Sequence, residues 1–147
     1  QASFSEVLNQ IISYMTEDTI SEYDIIVGCD SQNTNRTKMV LVICVIRKGH
    51  GGRYFYYIEN IAKVKDIRTK IYHETKVSLD CAKEINEYLY MNTEINYSFS
   101  IHADIGKHGE SSKLITEIVG WVEAEGFHCE IKPNSYVAST IADRISK

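Results

Sequence analysis

The stretch Asp24-Ile25-Ile26-Val27-Gly28-Cys29-Asp30-Ser31-Gln32 decides how this chain is read. Ile25, Ile26 and Val27 are β-branched and apolar, the composition of a strand covered on its faces, and the run closes on a carboxylate. A strand over residues 24–30 thus carries Asp30 at its end. Downstream, the run from Met39 to Ile46 inside residues 37–47 lacks polar alternation, so a second strand in the middle of a sheet is predicted there. Lys48-Gly49-His50-Gly51-Gly52 reads as a tight turn, and residues 53–60 as a third strand that closes a hairpin.

Upstream, Ser3 and Glu6 have the spacing of a capping box. Phe4, Val7, Leu8, Ile11, Ile12 and Met15 follow with helical period, predicting an amphipathic helix over 5–15 and a polar connector over 16–21. The longest helical pattern spans 67–91, with Ile71, Ser78, Cys81, Ala82, Ile85 and Leu89 as its buried stripe. Glu74 lies three residues after Ile71 and four before Ser78, so it sits on that stripe. A carboxylate aimed at a core is costly unless paired or bound to metal. Residues 95–104 alternate, with Ile95, Tyr97, Phe99, Ile101 and Ala103 on one face and Asn96, Ser98, Ser100, His102 and Asp104 on the other. A polar loop, a helix over 111–125, a short strand over 127–132 and a break at Pro133 complete the pattern. Asn134 or Ser135 is suited to cap a last helix that carries Asp143.

The order α, β-β-β-α-β-α-β-α predicts an α/β fold. Its mixed five-stranded sheet has a three-strand antiparallel meander, two parallel strands reached through helices, and helices on both faces. One domain over 1–147 is expected, with the helix and connector of 1–20 appended.

Four acids stand at these elements: Asp30, Glu74, Asp104 and Asp143. Gathered carboxylates repel one another, and a cluster persists mainly when cations neutralise it. The pattern points to divalent metal and so to phosphoryl chemistry. Its competitor is a set of helix caps and surface charges. His102 is a candidate ligand or a hydrogen-bonded strand histidine. Arg53, Lys107, His108 and Arg144 are candidate phosphate contacts, with Lys113 and Arg47 near them, or simply solvated cations. Tyr54, Phe55, Tyr56 and Tyr57 offer either base-stacking rings or the packing of an edge strand.

Composition narrows the classes. Hydrophobic residues make up 44% and charged residues 24%, the balance of a water-soluble globular protein. No apolar run is long enough to span a bilayer, and no basic leader precedes an apolar stretch. The start at Gln1 rather than methionine suggests a trimmed N-terminus. Cys29, Cys44, Cys81 and Cys129 are widely spaced, without CxxC or Cys/His ligand spacing. They predict reduced, buried thiols and a cytoplasmic location. Net charge is −4, yet residues 47–76 hold eight Lys or Arg against three acids. That basic segment is suited to a phosphate backbone, or is a solvated face.

The stretches VGCDSQ, RKGHGGRYFYY, IRTKIYHET, SLDCAKEI, HADIG, GWVEAEGF and KPNSYVASTIADRISK together resemble the ribonuclease H-like superfamily. Within it they are most similar to the YkuK group of uncharacterised bacterial proteins. The resemblance implies a metal-dependent nuclease using two Mg²⁺ or Mn²⁺ ions. Asp30 would bridge both, Glu74 and Asp104 would bind one, and Asp143 would bind the other. Nucleic acid (DNA, RNA or a hybrid) is the implied partner. Two departures from true ribonuclease H stand against hybrid cleavage. Asp30 is followed by Ser-Gln rather than Gly-Ser, and KPNSY occupies the place of a loop histidine. The alternatives are a catalytically weak nucleic-acid-binding or interaction domain, and a junction-resolving or exonucleolytic enzyme.

Overall fold

A computed structural model describes residues 3–33 and 35–132. Helix α1 (Phe4–Thr16) starts where the Ser3 side chain accepts a hydrogen bond from the Glu6 amide at 3.3 Å. Three strands follow: β1 (Tyr23–Asn33), β2 (Thr37–Arg47) and β3 (Gly52–Ile61). The turn between β2 and β3 closes through Arg47 N–H to Gly51 O at 2.8 Å. Gly49 and Gly51 have φ of 79° and 81° there, a region where a Cβ is strained. Helix α2 (Ile67–Asn92) is capped by Asp66, whose carboxylate accepts from the Thr69 amide at 3.0 Å. Then come β4 (Tyr97–His102), a 3₁₀ turn (Glu110–Leu114), helix α3 (Ile115–Ala124) and β5 (His128–Glu130). None of the described helices is long and apolar enough to cross a membrane.

The sheet runs β3-β2-β1-β4-β5. β1 pairs antiparallel with β2, and β2 with β3; β4 lies parallel to β1, and β5 parallel to β4. This is the mixed α/β sheet expected from the sequence. Helices α1, α2 and α3 pack on the face that carries Ile25, Val27, Ile43, Val45 and Ile101. Each fully buried Ile or Leu there contributes roughly 1.5–3 kcal/mol of transfer free energy. The opposite face carries a smaller cluster of Ile26, Val40, Val42 and Cys44. The helix expected after Pro133 lies outside the described residues.

Several boundaries differ from expectation: β1 continues past Asp30 to Asn33, and β5 is confined to His128–Glu130. β4 is shorter than 95–104, because its ladder on β1 begins where Tyr97 meets Tyr23 and ends where His102 meets Gly28. The helix expected over 111–125 opens as a 3₁₀ turn. Its two serines serve the preceding loop instead of capping the helix: Ser111 Oγ accepts from the Gly106 amide, and Ser112 Oγ donates to Gly109 O.

The topology chooses the place of a site. From β1 the chain runs outward to β3, then returns through α2 to β4 on the other side of β1. β1 and β4 are therefore parallel neighbours whose connections depart in opposite directions. In α/β sheets, ligands bind in the crevice beyond the carboxyl ends of such strands. Asp30 and Asp104 each lie two residues beyond the last pair of the β1–β4 ladder, Gly28 with His102.

Candidate metal centre

Asp30 stands late in β1 opposite Val40 of β2, and the next residue turns to the helix side of the sheet. That residue, Ser31, is buried, and its hydroxyl donates a hydrogen bond to Glu74 Oε2. The Ser31 amide donates to Asp30 Oδ1 at 2.9 Å. Two consecutive residues thus supply a carboxylate on one face and a hydroxyl that orients a second carboxylate on the other.

Glu74 enters from α2, on the buried stripe between Ile71 and Ser78, and is only 4% exposed. Asp104 follows the end of β4, where the Ala103 amide donates to Glu130 O at 2.9 Å and ties the segment to β5. One oxygen from each of Asp30, Glu74 and Asp104 lies within 4.8 Å of the others. A cation with oxygen ligands at roughly 2.0–2.6 Å holds them up to about 4–5 Å apart. Among the described residues this is the set of metal-ligating side chains that converges.

Two lysines face the acids. Lys70 Nζ lies 3.8 Å from Glu74 Oε2 and 4.0 Å from Asp104 Oδ2, and Lys132 Nζ lies 2.6 Å from Asp104 Oδ1. The three carboxyl groups respond differently. Burial pushes Glu74 up to about 8, against the pull of Lys70 and the Ser31 hydroxyl. Burial, and then the neighbouring Asp104, raise Asp30. Burial also acts to raise Asp104, but hydrogen bonds from Lys132 and Asp30 outweigh it and hold Asp104 below the usual aspartate value. Of this coupled pair Asp30 is therefore the readier to take up a proton and Asp104 the readier to stay ionised.

A divalent cation fits this donor set on two observations. All the converging ligands are hard carboxylate oxygens, the choice of Mg²⁺ and Mn²⁺. Glu74 Oε1 is fully buried with no hydrogen-bond partner. A buried carboxylate oxygen without a partner is costly, and a bound cation removes that cost.

The remaining candidates fall elsewhere. His102 is buried in β4, in register with Gly28 and Glu130, outside the converging set. Lys107 and His108 are exposed in the loop after Asp104, and Lys113 is exposed in the 3₁₀ turn. Arg53 pairs with Val45 at the far end of the sheet, its guanidinium 4.6 Å from the Tyr14 ring centroid. Asp143 and Arg144 lie outside the described residues. Of the four aromatic residues on β3, Tyr54 and Tyr56 are exposed, while Phe55 and Tyr57 pack against the main core. The four cysteines are buried and free, as expected.

The basic segment 47–76 is divided between the two ends of the sheet. Arg47 and Lys48 serve acids at the far end, whereas Lys70 serves the cluster. Sequence reading did not single out Ser31, Lys70 or Lys132 for the site. Lys70 carried a usable signal, since it precedes the stripe glutamate by one helical turn. Ser31 carried a weaker one, the strand alternation after Asp30. Lys132 carried none, being brought in by the end of β5.

Comparison with known proteins adds a family to this geometry. The ribonuclease H-like family pattern matches residues 6–147. The chain is 29% identical over 159 residues to "Uncharacterized protein YkuK" of Bacillus subtilis (strain 168), covering 100% of this chain and 92% of that relative. No solved structure matches the chain significantly. With a match over nearly its whole length, the chain belongs to the ribonuclease H-like family.

Proposed function

We propose that this chain is a divalent-cation-dependent nuclease that hydrolyses phosphodiester bonds of nucleic acid. The observation that carries this reading is the convergence of Asp30, Glu74 and Asp104, with Glu74 Oε1 buried and unsatisfied. These residues would hold the cation, with Asp143 as a further ligand and Asp30 shared if two ions bind. When bound, Mg²⁺ or Mn²⁺ supplies activation of water and neutralisation of charge on the scissile phosphate.

The chain's own groups do the rest. Ser31 fixes the Glu74 carboxylate by its hydroxyl. Lys70 and Lys132 place ammonium groups beside the acids, where they attract phosphate oxygens that the carboxylates alone would repel. Lys63 and Lys65 are exposed in the connection from β3 to α2. That connection is tied to β1 by Asn33 Nδ2 donating to Val64 O at 2.9 Å, which keeps these cations at the acid end of the sheet.

The test is incubation with Mn²⁺ or Mg²⁺ and a panel of single strands, duplexes, RNA–DNA hybrids and branched DNA, resolved on denaturing gels. Cleavage that requires the metal and disappears in Asp30→Asn is the expected result. Undiminished cleavage by Asp30→Asn, or none on any substrate with metal bound, overturns the reading.

One observation favours a second reading, a binding domain with little catalysis: Lys132 already neutralises Asp104 at 2.6 Å. Thermal unfolding with added Mn²⁺ separates the two. A melting temperature that rises, and does so no longer in Asp104→Asn, supports the metal site.

A further inference from the structure

Helix α2 has a second functional-looking face. Arg68, Tyr72 and Lys76 succeed one another at four-residue spacing, one above the other on the helix surface, with Thr69 and His73 beside them. This row points away from the side that carries Glu74 to the sheet. Trp121 of α3 meets it, its ring stacked on Tyr72 with centroids 5.5 Å apart and planes at 26°. The six side chains line a surface groove of about 400 Å³, within the range of small-ligand pockets.

The aromatic floor is held in place. Glu117 accepts two hydrogen bonds from Arg68, at 2.7 and 2.9 Å, and a third from the Tyr72 hydroxyl. The Arg68 guanidinium in turn lies 4.9 Å from the Tyr72 ring centroid. The rim carries the cations Arg68 and Lys76, with the His73 imidazole between them. Among the described residues Lys76 pairs with Asp80 at 3.1 Å, in a pair exposed on both sides. Such a pair is weak, so its ammonium is free to turn to an incoming phosphate. Flat rings framed by cations suit the combination of base and phosphate that single-stranded nucleic acid presents.

We propose that the groove between α2 and α3 binds a single-stranded segment of nucleic acid, with a base laid against Tyr72 and Trp121 and a backbone phosphate on Lys76. This deepens the nuclease reading and rests on it for its purpose. The groove and the acid cluster lie on opposite sides of one helix, separated by roughly the 10–12 Å diameter of a helix with side chains. A strand cut at the acids would be held by its flank.

Trp121 is the sole tryptophan, so its fluorescence reports this groove directly. The experiment titrates a short oligothymidylate into the full chain in EDTA, where no cleavage occurs. Saturable quenching is expected, weakened roughly tenfold in Lys76→Gln and roughly tenfold for an abasic strand of equal length. Lys48→Gln, at the far end of the sheet, is expected to bind as the unmodified chain does. Tyr72→Leu is the stronger variant; because Lys76 is exposed, its replacement keeps the test valid if Tyr72→Leu fails to fold. Absence of quenching, equal quenching by the abasic strand, or indifference to Lys76→Gln overturns the proposal. Quenching without cleavage at any metal concentration leaves the groove standing and ends the nuclease reading; cleavage without quenching does the reverse.

Discussion

The two ends of β1 treat charge in opposite ways. At its start, Arg47 is enclosed by partners. It donates to Tyr14 O at 2.7 Å and Tyr23 Oη at 3.1 Å, and its guanidinium lies 4.1 Å from the Tyr14 ring centroid. Asp18 and Glu17 stand at 4.0 and 3.7 Å. Tyr23 passes the network on, its hydroxyl hydrogen-bonded to Asp18 O and Met15 O. At the other end, roughly seven residues or about 23 Å along the strand, three carboxyl groups crowd together and Glu74 Oε1 is buried without a partner. A charge network that closes on itself ties α1 to the sheet. A network left open within a converging set of oxygens is a place prepared for a cation.

The largest effect expected from breaking this contrast lies at the closed end. Arg47→Met removes the donor that joins α1, β1 and β2, and leaves Tyr14 O and Tyr23 Oη without it. We expect a clear fall in unfolding free energy by denaturant titration, because two hydrogen-bond acceptors lose their donor, with Mn²⁺ binding unchanged. A loss of metal binding in a folded Arg47→Met protein would show that the two ends are not independent.

At the open end the sign reverses. The folded value for Glu74 is about 8, above its ordinary 4.5. The folded state therefore holds this proton more tightly than the unfolded state. Its contribution to stability is complete below about 4.5 and declines as pH rises towards 8. Glu74→Gln removes that decline. The metal-free variant is expected to be more stable than the parent at pH 8 by about 1–3 kcal/mol, and to gain nothing from added Mn²⁺. Equal stability of the two proteins at pH 8 would mean that Glu74 bears no uncompensated charge.

The same proton makes metal binding depend on pH. A cation entering the cluster displaces the proton of Glu74 and, towards pH 6, the one that Asp30 takes up. Apparent Mg²⁺ or Mn²⁺ affinity should thus climb between pH 6 and 8, by up to roughly tenfold per unit for each proton released. Calorimetric titration in buffers of different ionisation enthalpy counts those protons, and a count of zero contradicts the assignment. The smallest effect belongs to Lys132→Met, which removes an ammonium competing for Asp104. Mn²⁺ affinity is expected to rise a few-fold, as fits an ion pair whose lysine is half exposed.

Much of the fold was legible because its periods are long and clean. β2 runs over Thr37–Arg47 as its unbroken apolar run implied, and α2 over Ile67–Asn92 follows its stripe to within a residue. The placing of Glu74 on the buried side followed from helical spacing alone. Asp30 and Asp104 were legible as residues near the ends of β1 and β4, although β1 runs on to Asn33 and β4 stops at His102. That their oxygens approach one another depended on β4 returning beside β1, a pairing between segments about seventy residues apart. The short 3₁₀ turn was not legible, since the polar side chains that suggest a helix cap there bond the loop instead. Nor was the fate of Arg53, a cation near a glycine turn whose aromatic neighbour comes from α1.

By itself, then, the amino-acid order determined which segments are helix or strand and which side of each is apolar, because those properties depend on neighbours within a turn or a pleat. Only the tertiary structure decided which charges meet. Lys70 and Lys132 beside the acids, Ser31 beneath Glu74, Tyr72 stacked on Trp121 and Arg47 closed within its own network are all contacts between elements distant in sequence. Charge interactions act over a few ångströms in space, and the sheet order β3-β2-β1-β4-β5 sets those distances.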